Sequence, residues 1–373
     1  YKIKEFREDR YVELERNQDW WGFAKNWNRG KYNFEKIKFR FMEDQTKVLE
    51  AFKKQNFDAY ALYTSAIWMK QTDFDAVQKG HVVKQKIYNK EPIGFQGMAF
   101  NLRKEKFQDV RVRKALSMLM NREMMNEKYM YNQYFLLNSY YPDLWESNKN
   151  PSAPEFAYAP DSARKLLSEA GFVPDAEGML SKNGKPFEIT FITSSSEMRH
   201  LTLYQEDLKK AGIRVNIEQM SQSTLRKRLD EADFDMYWVN WGAGRLRDPE
   251  ASWHSATANA KGTNNLSGLQ DAVVDSLINL QKTEFNLEKR NEILRSLDNR
   301  LTELVPYVLM WQADHHRMLY WNRFGTPEKV FDKFGREESI PVYWFYDAKK
   351  ANALNKAIKE GKTLPLEPKE VRQ

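Results

Sequence analysis

Apolar runs and amphipathic segments alternate between residues 187 and 241, and this alternation restricts the possible fold more than any other feature of the chain. Three apolar runs have the length and composition of buried strands: Phe187–Thr193, Ile213–Glu218 and Phe234–Trp241. The two segments between them carry apolar residues at helical spacing: 197–211 and 223–231. A β-α-β-α-β order predicts a parallel sheet with right-handed crossovers, so we expect an α/β domain.

The loop after the third predicted strand combines an indole with glycines and charged residues. Trp241 ends the strand, and Arg245, Arg247 and Asp248 follow it. Ligands of open α/β sheets bind beyond the carboxyl ends of the strands, and guanidinium groups bind carboxylates well. The loop is therefore a candidate site for an organic solute that bears carboxylates. Taken alone, it is equally compatible with a buried indole beside solvated charges.

Composition limits the classes of protein that remain. A chain of 373 residues exceeds one ordinary core, so we expect two lobes. The absence of cysteine excludes disulfides, zinc thiolates and thiol nucleophiles. The net charge of +7 comes from lysines interspersed with acids, which indicates a solvated surface and no nucleic-acid partner. No run approaches 18 apolar residues, so no membrane-spanning helix is predicted.

Several motifs follow one another in a fixed order along the chain. They are R-N-Q-D-W-W-G at Arg16–Gly22, D-V-R-V-R-K-A-L-S within Gly94–Met120, L-L-S-E-A-G-F within Tyr158–Phe172, L-K-K-A-G-I-R-V within Leu208–Trp241, and the helix and strand of Glu288–Trp311. Together they resemble the extracytoplasmic solute-binding proteins of ABC importers, in particular the oligopeptide and dipeptide family, family 5. The resemblance covers roughly residues 11–347.

The resemblance implies a two-lobed periplasmic-binding-protein fold, type II and cluster C-like. Lobe I would comprise residues 1–101 and 307–347, lobe II residues 102–306, and residues 348–373 would form a polar tail. In this family the chain crosses twice between the lobes, which makes Gly97, Phe100 and Trp311 candidate hinge residues. The N-terminal portion of the family pattern is missing, so we expect an incomplete first lobe, in a fragment or in a protein completed by a separate chain.

The resemblance also implies a function. The two lobes would capture a peptide or peptide-like solute in the periplasm and deliver it to an ABC transporter permease in the inner membrane. The candidate ligand-binding residues are Trp241, Gly242, Ala243, Gly244, Arg245, Arg247, Asp248 and Asn264. Peptide binders of the family carry W-x-A-D here, and the Asp clamps the peptide amine. Gly244 stands in its place, which resembles the branch associated with murein peptides and microcin C.

Other functions remain open at this point. The same fold could bind a non-peptide solute, such as a sugar conjugate or an opine-like compound, or could serve as a chaperone or adhesin. A glycoside hydrolase would use paired carboxylates such as Asp233, Asp235 or Asp248, but the first two lie at the start of a strand, away from the ligand edge. We predict no catalytic residue, cofactor or metal ion. His315 and His316 are adjacent on a predicted strand and so face opposite ways.

Overall fold

In a computed structural model of the protein, which describes residues 1–42, 44–195 and 198–373, the chain divides into two units. Unit 1 consists of residues 1–91 and 314–373, and unit 2 consists of residues 92–313. The chain therefore passes from one unit to the other after Glu91 and again after Ala313.

The helices and strands have the following bounds. Unit 1 begins with β1 (Lys2–Arg7), β2 (Tyr11–Glu15), β3 (Lys36–Arg40), α1 (Gln45–Lys53), β4 (Ala59–Ala61), α2 (Ser65–Lys70), α3 (Asp75–Gln78) and β5 (Val82–Tyr88). Unit 2 contains β6 (Phe95–Phe100), α4 (Val110–Met118), α5 (Arg122–Met130), β7 (Phe135–Leu136), α6 (Pro160–Glu169), β8 (Val173–Pro174), β9 (Leu180–Lys182), β10 (Lys185–Pro186), β11 (Glu188–Thr193), α7 (Arg199–Lys210), β12 (Arg214–Gln219), α8 (Gln222–Asp230), β13 (Met236–Trp241), α9 (Glu250–Trp253), α10 (Ala272–Thr283), α11 (Leu287–Leu304), β14 (Tyr307–Leu309) and β15 (Trp311–Gln312). Unit 1 then resumes with β16 (His316–Trp321), β17 (Phe324–Gly325), α12 (Ile340–Tyr343), β18 (Phe345–Tyr346), α13 (Ala348–Glu360) and β19 (Glu370–Arg372).

The main sheet of unit 2 has the strand order β12-β11-β13-β6-β14. β11 pairs parallel with β12 and β13, and α7 and α8 connect these three strands, as the predicted β-α-β-α-β order requires. β6 pairs antiparallel with both β13 and β14, an addition that the local pattern did not predict. The fold class is α/β, as predicted. The predicted first residue of the helix that became α7, Glu197, lies outside the described residues.

Alternation along β13 divides the core of unit 2 between the two faces of this sheet. Met236 and Trp238 join one apolar cluster, and Tyr237, Val239 and Trp241 join the other. Both faces of β13 are thus covered by apolar contacts, in agreement with the predicted buried strand, although only Met236 is fully buried. The strand carries its last indole, Trp241, to the carboxyl edge of the sheet.

Unit 1 is built on two larger sheets. A four-stranded sheet has the order β19-β5-β16-β4, and a three-stranded antiparallel sheet has the order β1-β2-β3. The four-stranded sheet contributes to two apolar clusters, which hold the largest buried side chains of the unit: Leu49, Phe52, Ile87, Phe331 and Trp344. Along the described part of the chain, no helix is both long enough and apolar enough to cross a membrane.

The unit boundaries differ from the predicted ones, at 91 instead of 101 and at 313 instead of 306. β6 and β14 hydrogen-bond to each other and belong to the main sheet of unit 2. Consequently none of the three predicted hinge residues lies where the chain passes between units. Gly97 and Phe100 are within β6, and Trp311 is buried in β15. A Cβ atom on Gly97 would lie 2.6 Å from the carbonyl oxygen of Val308, so glycine is required there by close packing of neighbouring strands.

The C-terminal residues are integrated into unit 1 and do not form the predicted polar tail. Asp347 caps α13 by accepting hydrogen bonds from two backbone N–H groups. β19 then pairs parallel with β5. The side chain of Gln373 accepts from the backbone of Val330 at 2.8 Å and donates to Phe331 at 2.8 Å. These contacts make residues 348–373 part of the folded unit.

Candidate functional site

The candidate site begins at the carboxyl edge of the main sheet of unit 2. The three parallel strands end at Thr193, Gln219 and Trp241. Trp241 is paired with Phe95 of the antiparallel neighbour β6. The Trp241 loop, residues 241–248, leaves the sheet at this edge, where ligands of such sheets bind.

The indole of Trp241 is half-buried against the core of unit 2. It packs on the apolar cluster that contains Phe95, Trp253 and Tyr307. Burial raises the pKa of the Tyr307 phenol, and the neighbouring Trp241 side chain opposes that rise. The indole is therefore neither enclosed in the interior nor free in solvent, and its outer part remains available to a solute.

The backbone of Trp241 is in close contact with Gly94, the residue before β6. A Cβ atom on Gly94 would lie 2.8 Å from the carbonyl carbon of Trp241 and 2.9 Å from that of Gly242, and closer still to the Trp241 oxygen. All three atoms belong to the backbone and cannot rotate away as a side chain can. The absence of a side chain at position 94 thus sets where the Trp241 loop leaves the sheet.

The first half of the loop is exposed, as a ligand-binding segment requires. Gly242, Gly244 and Arg245 are exposed, and Ala243 is half-buried. Position 244, where the family pattern has an amine-clamping Asp, offers only backbone groups. The exposed first half therefore presents peptide groups and one guanidinium next to the indole.

Arg247 has a different environment from the one predicted for a ligand contact. Its guanidinium donates to both carboxylate oxygens of Asp143, and its side chain is only 9% exposed. Its carbonyl oxygen accepts a hydrogen bond from Arg290 of α11 at 3.1 Å. Arg247 therefore fastens the end of the loop to the rest of unit 2, because its charge is already paired.

Asp248 and Asn264 both occupy exposed positions of unit 2. Asp248 is exposed and accepts a hydrogen bond from the backbone N–H of Glu250, at the start of α9. Asn264 lies in an exposed turn. Its neighbour Asn265 is fully buried and holds that turn by two hydrogen bonds of 3.0 Å to the backbone of Leu269. The structural residue of this pair is thus the second asparagine, Asn265.

A buried carboxylate, which the sequence patterns did not identify, supports the Trp241 loop indirectly. Asp298 of α11 accepts four hydrogen bonds of 2.7–2.9 Å, from Ser139, the backbone of Tyr140, Trp145 and Asn150. The segment that these bonds hold includes Asp143, the partner of Arg247. Burial raises the pKa of Asp298, and the four donors oppose that rise. The hydrophobic periodicity of the sequence does not identify such a residue, because polar residues are expected between the apolar positions of any amphipathic helix.

A second group of aromatic residues lies on the opposite face of β13. His200, near the start of α7, has its ring centre 5.8 Å from that of Trp238 and 6.3 Å from that of Trp311. Burial lowers the pKa of His200 to about 4, so the imidazole is neutral at pH 7. Within the described residues, His200 Nε2 and Trp238 Nε1 are buried without a hydrogen-bond partner. One signal in the sequence could have identified His200, namely its position seven residues after Thr193, where a strand ends at the ligand edge of the sheet.

The residues considered for catalysis or metal binding are engaged elsewhere. Asp235, at the amino end of β13, accepts from Lys106 at 2.6 Å and from the backbone of Thr190 at 2.9 Å. His315 pairs with Asp314 at 2.9 Å, whereas His316 pairs with Glu91 at 2.9 Å. In the part of the chain that the structure describes, no group of three or more His, Asp or Glu side chains is arranged to hold a metal ion.

Comparison with known proteins identifies the family to which the chain is similar. The profile of the bacterial extracellular solute-binding proteins, family 5 Middle, matches residues 1–264. YejA of Escherichia coli, an uncharacterised protein, is 27% identical over 97% of this chain and 65% of its own length. A probable peptide-binding protein YejA of Agrobacterium fabrum is 28% identical over 88% of this chain and 60% of its own length. The chain thus spans less than two thirds of the length of these relatives.

The fold is also that of a solved structure. The oligopeptide-binding protein AppA of Bacillus subtilis, in complex with a nonapeptide, superimposes with a TM-score of 0.76 at 20% identity. The superposition covers 92% of this chain and 66% of AppA.

Proposed function

The chain belongs to the bacterial extracellular solute-binding proteins of family 5, and from that membership we propose that it captures a peptide or peptide-like solute for an ABC importer. The peptide assignment is supported by the 28% identical relative from Agrobacterium fabrum, which is described as a probable peptide-binding protein. The captured solute would be delivered to a permease in the inner membrane. The protein would act in the periplasm and would not alter its cargo chemically.

The observation that carries this proposal is the Trp241 loop. A half-buried indole lies at the carboxyl edge of the sheet, packed on an apolar cluster, and it is followed by residues 242–245, of which all but Ala243 are exposed. The indole offers apolar surface, the turn offers peptide N–H and C=O groups, and Arg245 offers a cation. An apolar surface with a few polar groups beside it is the usual composition of a small-molecule site. Peptides present all three complementary groups.

The loop also favours one class of peptide. Gly244 has no carboxylate with which to bind a free α-amino group, and Asp248 is engaged with the backbone of Glu250. A solute whose amine is blocked or absent would not need that clamp, whereas its carboxylates would be attracted by Arg245. Position 244 resembles the branch of the family that is associated with murein peptides and microcin C. We therefore propose the corresponding branch of the family for this chain.

Two further features belong to the proposal. The relatives are longer than the matched region, so a complete receptor would include additional polypeptide, carried by this protein or by a separate chain. A non-peptide solute, such as a sugar conjugate or an opine-like compound, is the alternative cargo for the same site.

The decisive experiment identifies the solute that copurifies with the protein. The purified protein is denatured, and the released small molecules are identified by mass spectrometry; the compound found is then titrated into solute-free protein by calorimetry. We expect a peptide or peptide-like compound that binds with one-to-one stoichiometry and is recovered unchanged. A released sugar conjugate or opine would establish the alternative cargo, and chemical conversion of the compound would contradict the transport function.

A further inference from the structure

A second guanidinium reaches the Trp241 loop from helix α11. Arg247, which the sequence suggested as a carboxylate binder, is already paired with Asp143 and is only 9% exposed. The carbonyl oxygen of Arg247, however, accepts a hydrogen bond from Nη2 of Arg290 at 3.1 Å. This bond places the Arg290 guanidinium directly against the end of the loop.

The charge of Arg290 is not neutralised by the part of the chain that the structure describes. There, the bond to the Arg247 carbonyl is the one hydrogen bond of its guanidinium, and no carboxylate pairs with it. Glu288, on the same helix, pairs instead with Arg295 at 3.1 Å. The side chain of Arg290 is half-buried, with Nε enclosed and Nη1 open to solvent. A partly desolvated cation without a counter-ion is costly, so an anion supplied from outside would be stabilising at Nη1.

The local charge balance also favours an anion. The Trp241 loop contains Arg245, Arg247 and Asp248, and the two charged side chains bonded to Arg247 are those of Asp143 and Arg290. Together they carry three guanidinium groups and two carboxylates, which leaves an excess of one positive charge. Such an excess attracts anions to the end of the loop.

Two exposed leucines accompany this cation. Leu246 directly precedes Arg247 in the loop and is 75% exposed. Leu287 is 56% exposed and lies three residues before Arg290 on α11, a spacing at which helical side chains are neighbours. Apolar surface beside a solvent-reachable charge has the composition of a small-molecule site. The combination fits an anionic group attached to an aliphatic chain.

We propose that Leu246, Leu287 and Arg290 form a carboxylate subsite for the solute, which we call the Arg290 subsite. Nη1 of Arg290 donates to the carboxylate, and the leucines contact the aliphatic carbons next to it. Arg290 thus takes the role that the sequence suggested for Arg247. The inference rests on the proposed capture of a carboxylate-bearing solute and adds which side chain binds the carboxylate. A solute that binds at Trp241 without touching Arg290 would contradict the subsite and leave the proposed function intact.

The test compares two probes that differ in one group. Muramyl dipeptide has no free amine and carries one carboxylate on a short aliphatic chain; its carboxamide carries no charge. Each is titrated by calorimetry into solute-free protein, in parallel with the compound that copurifies. We expect the acid to bind about tenfold or more tightly than the amide, as a hydrogen bond to a charged group provides. This preference should decrease as the salt concentration is raised.

A matched pair of variants assigns the preference to Arg290. Arg290→Gln should lose the preference for the acid and keep the affinity for the amide. Lys289→Gln removes the same charge from the adjacent, exposed position and should behave as the unaltered protein does. Leu287→Ser changes an exposed side chain and should weaken both probes equally, because it contacts carbon atoms that both contain. Circular dichroism and melting temperature check that each variant is folded.

Several results would overturn the Arg290 subsite. They are equal binding of acid and amide by the unaltered protein, binding of neither, a preference that survives in Arg290→Gln, and a preference lost equally in Lys289→Gln. If Arg290→Gln does not fold, unchanged binding of both probes by Leu287→Ser would overturn it as well. Binding of the copurifying compound in any of these cases would show that the proposed function stands and that the subsite alone is wrong.

Discussion

Replacement of Gly94 by alanine tests whether the close contact behind Trp241 sets the position of the candidate site. The new methyl group would lie 2.8 and 2.9 Å from two backbone carbons of the Trp241 loop. Carbon atoms in favourable contact are about 3.5–4.0 Å apart, so the loop or β6 has to move by about 0.7 Å or more. Since the obstructing atoms are backbone, the shift is transmitted to the indole and to the exposed turn.

Two quantities are expected to change in the Gly94→Ala variant. Overpacking of this kind costs about 1–3 kcal/mol, so the free energy of unfolding, measured by denaturant titration, should fall by that amount. Displacement of the indole should weaken binding of the copurifying solute, measured by calorimetry, at least tenfold, which corresponds to about 1.4 kcal/mol. The loss of affinity should persist at temperatures where the variant is fully folded.

Gly242→Ala provides the matched control. A Cβ atom at Gly242 has no other heavy atom within 4 Å among the described residues, and its backbone does not require glycine, since its φ lies outside the left-handed region. The control lies in the same loop and adds the same methyl group, so we expect nearly unchanged stability. If Gly94→Ala binds solute as tightly as the unaltered protein does, the loop does not hold the solute in the way we propose.

Three further substitutions are expected to have measurable effects. Trp241→Ala should weaken solute binding about thirtyfold in calorimetry, because covering about a third of an indole of about 250 Å² contributes about 2 kcal/mol. Asp298→Asn should lower the free energy of unfolding by about 1–3 kcal/mol in denaturant titrations, since the amide leaves at least one buried donor without an acceptor. In the folded protein the pKa of His200 is about 4, below its ordinary value of 6.5. Below pH 6.5 the unfolded state therefore binds more protons than the folded state, so the free energy of unfolding decreases as the pH is lowered. Between pH 7 and pH 4 the unaltered protein should therefore lose about 3 kcal/mol more than His200→Gln does in the same titrations.

Each of these expectations has a result that would contradict it. Unchanged affinity of Trp241→Ala would remove the indole from the site. For Asp298, the exposed Glu292 of the same helix provides the control Glu292→Gln, and equal losses of stability in the two variants would show that the four hydrogen bonds of Asp298 do not stabilise the fold. Parallel pH profiles for the unaltered protein and His200→Gln would mean that the imidazole is not buried in the neutral form.

Local sequence patterns were sufficient for the elements that depend on neighbours along the chain. Helix α4 begins where the carboxylate of Asp109 accepts the backbone N–H of Arg111 at 2.9 Å, and the connected strands β11, β12 and β13 lie close to their predicted bounds. Capping and hydrophobic periodicity act over a few residues, so they can be read without knowledge of the tertiary structure. The position of Trp241 at the ligand edge followed from this order alone.

Sequence patterns were insufficient where contacts join distant parts of the chain. Arg247 resembles a ligand-binding cation until Asp143, 104 residues earlier, is brought beside it. Gly97 resembles a hinge residue until β14 is placed against β6, and Asp298 resembles a surface carboxylate until four donors surround it. In each case a long-range neighbour decides whether the group is exposed or already paired.

The amino-acid sequence by itself determined that this chain forms an α/β unit with an indole and a glycine-rich turn at the carboxyl edge of its sheet. Only the tertiary structure decided which charges near that turn remain exposed, where the chain passes between its two units, and that Arg290 reaches the end of the Trp241 loop. The reason is physical: periodicity fixes the direction in which a side chain projects, whereas burial, pairing and pKa depend on what the folded chain places opposite it.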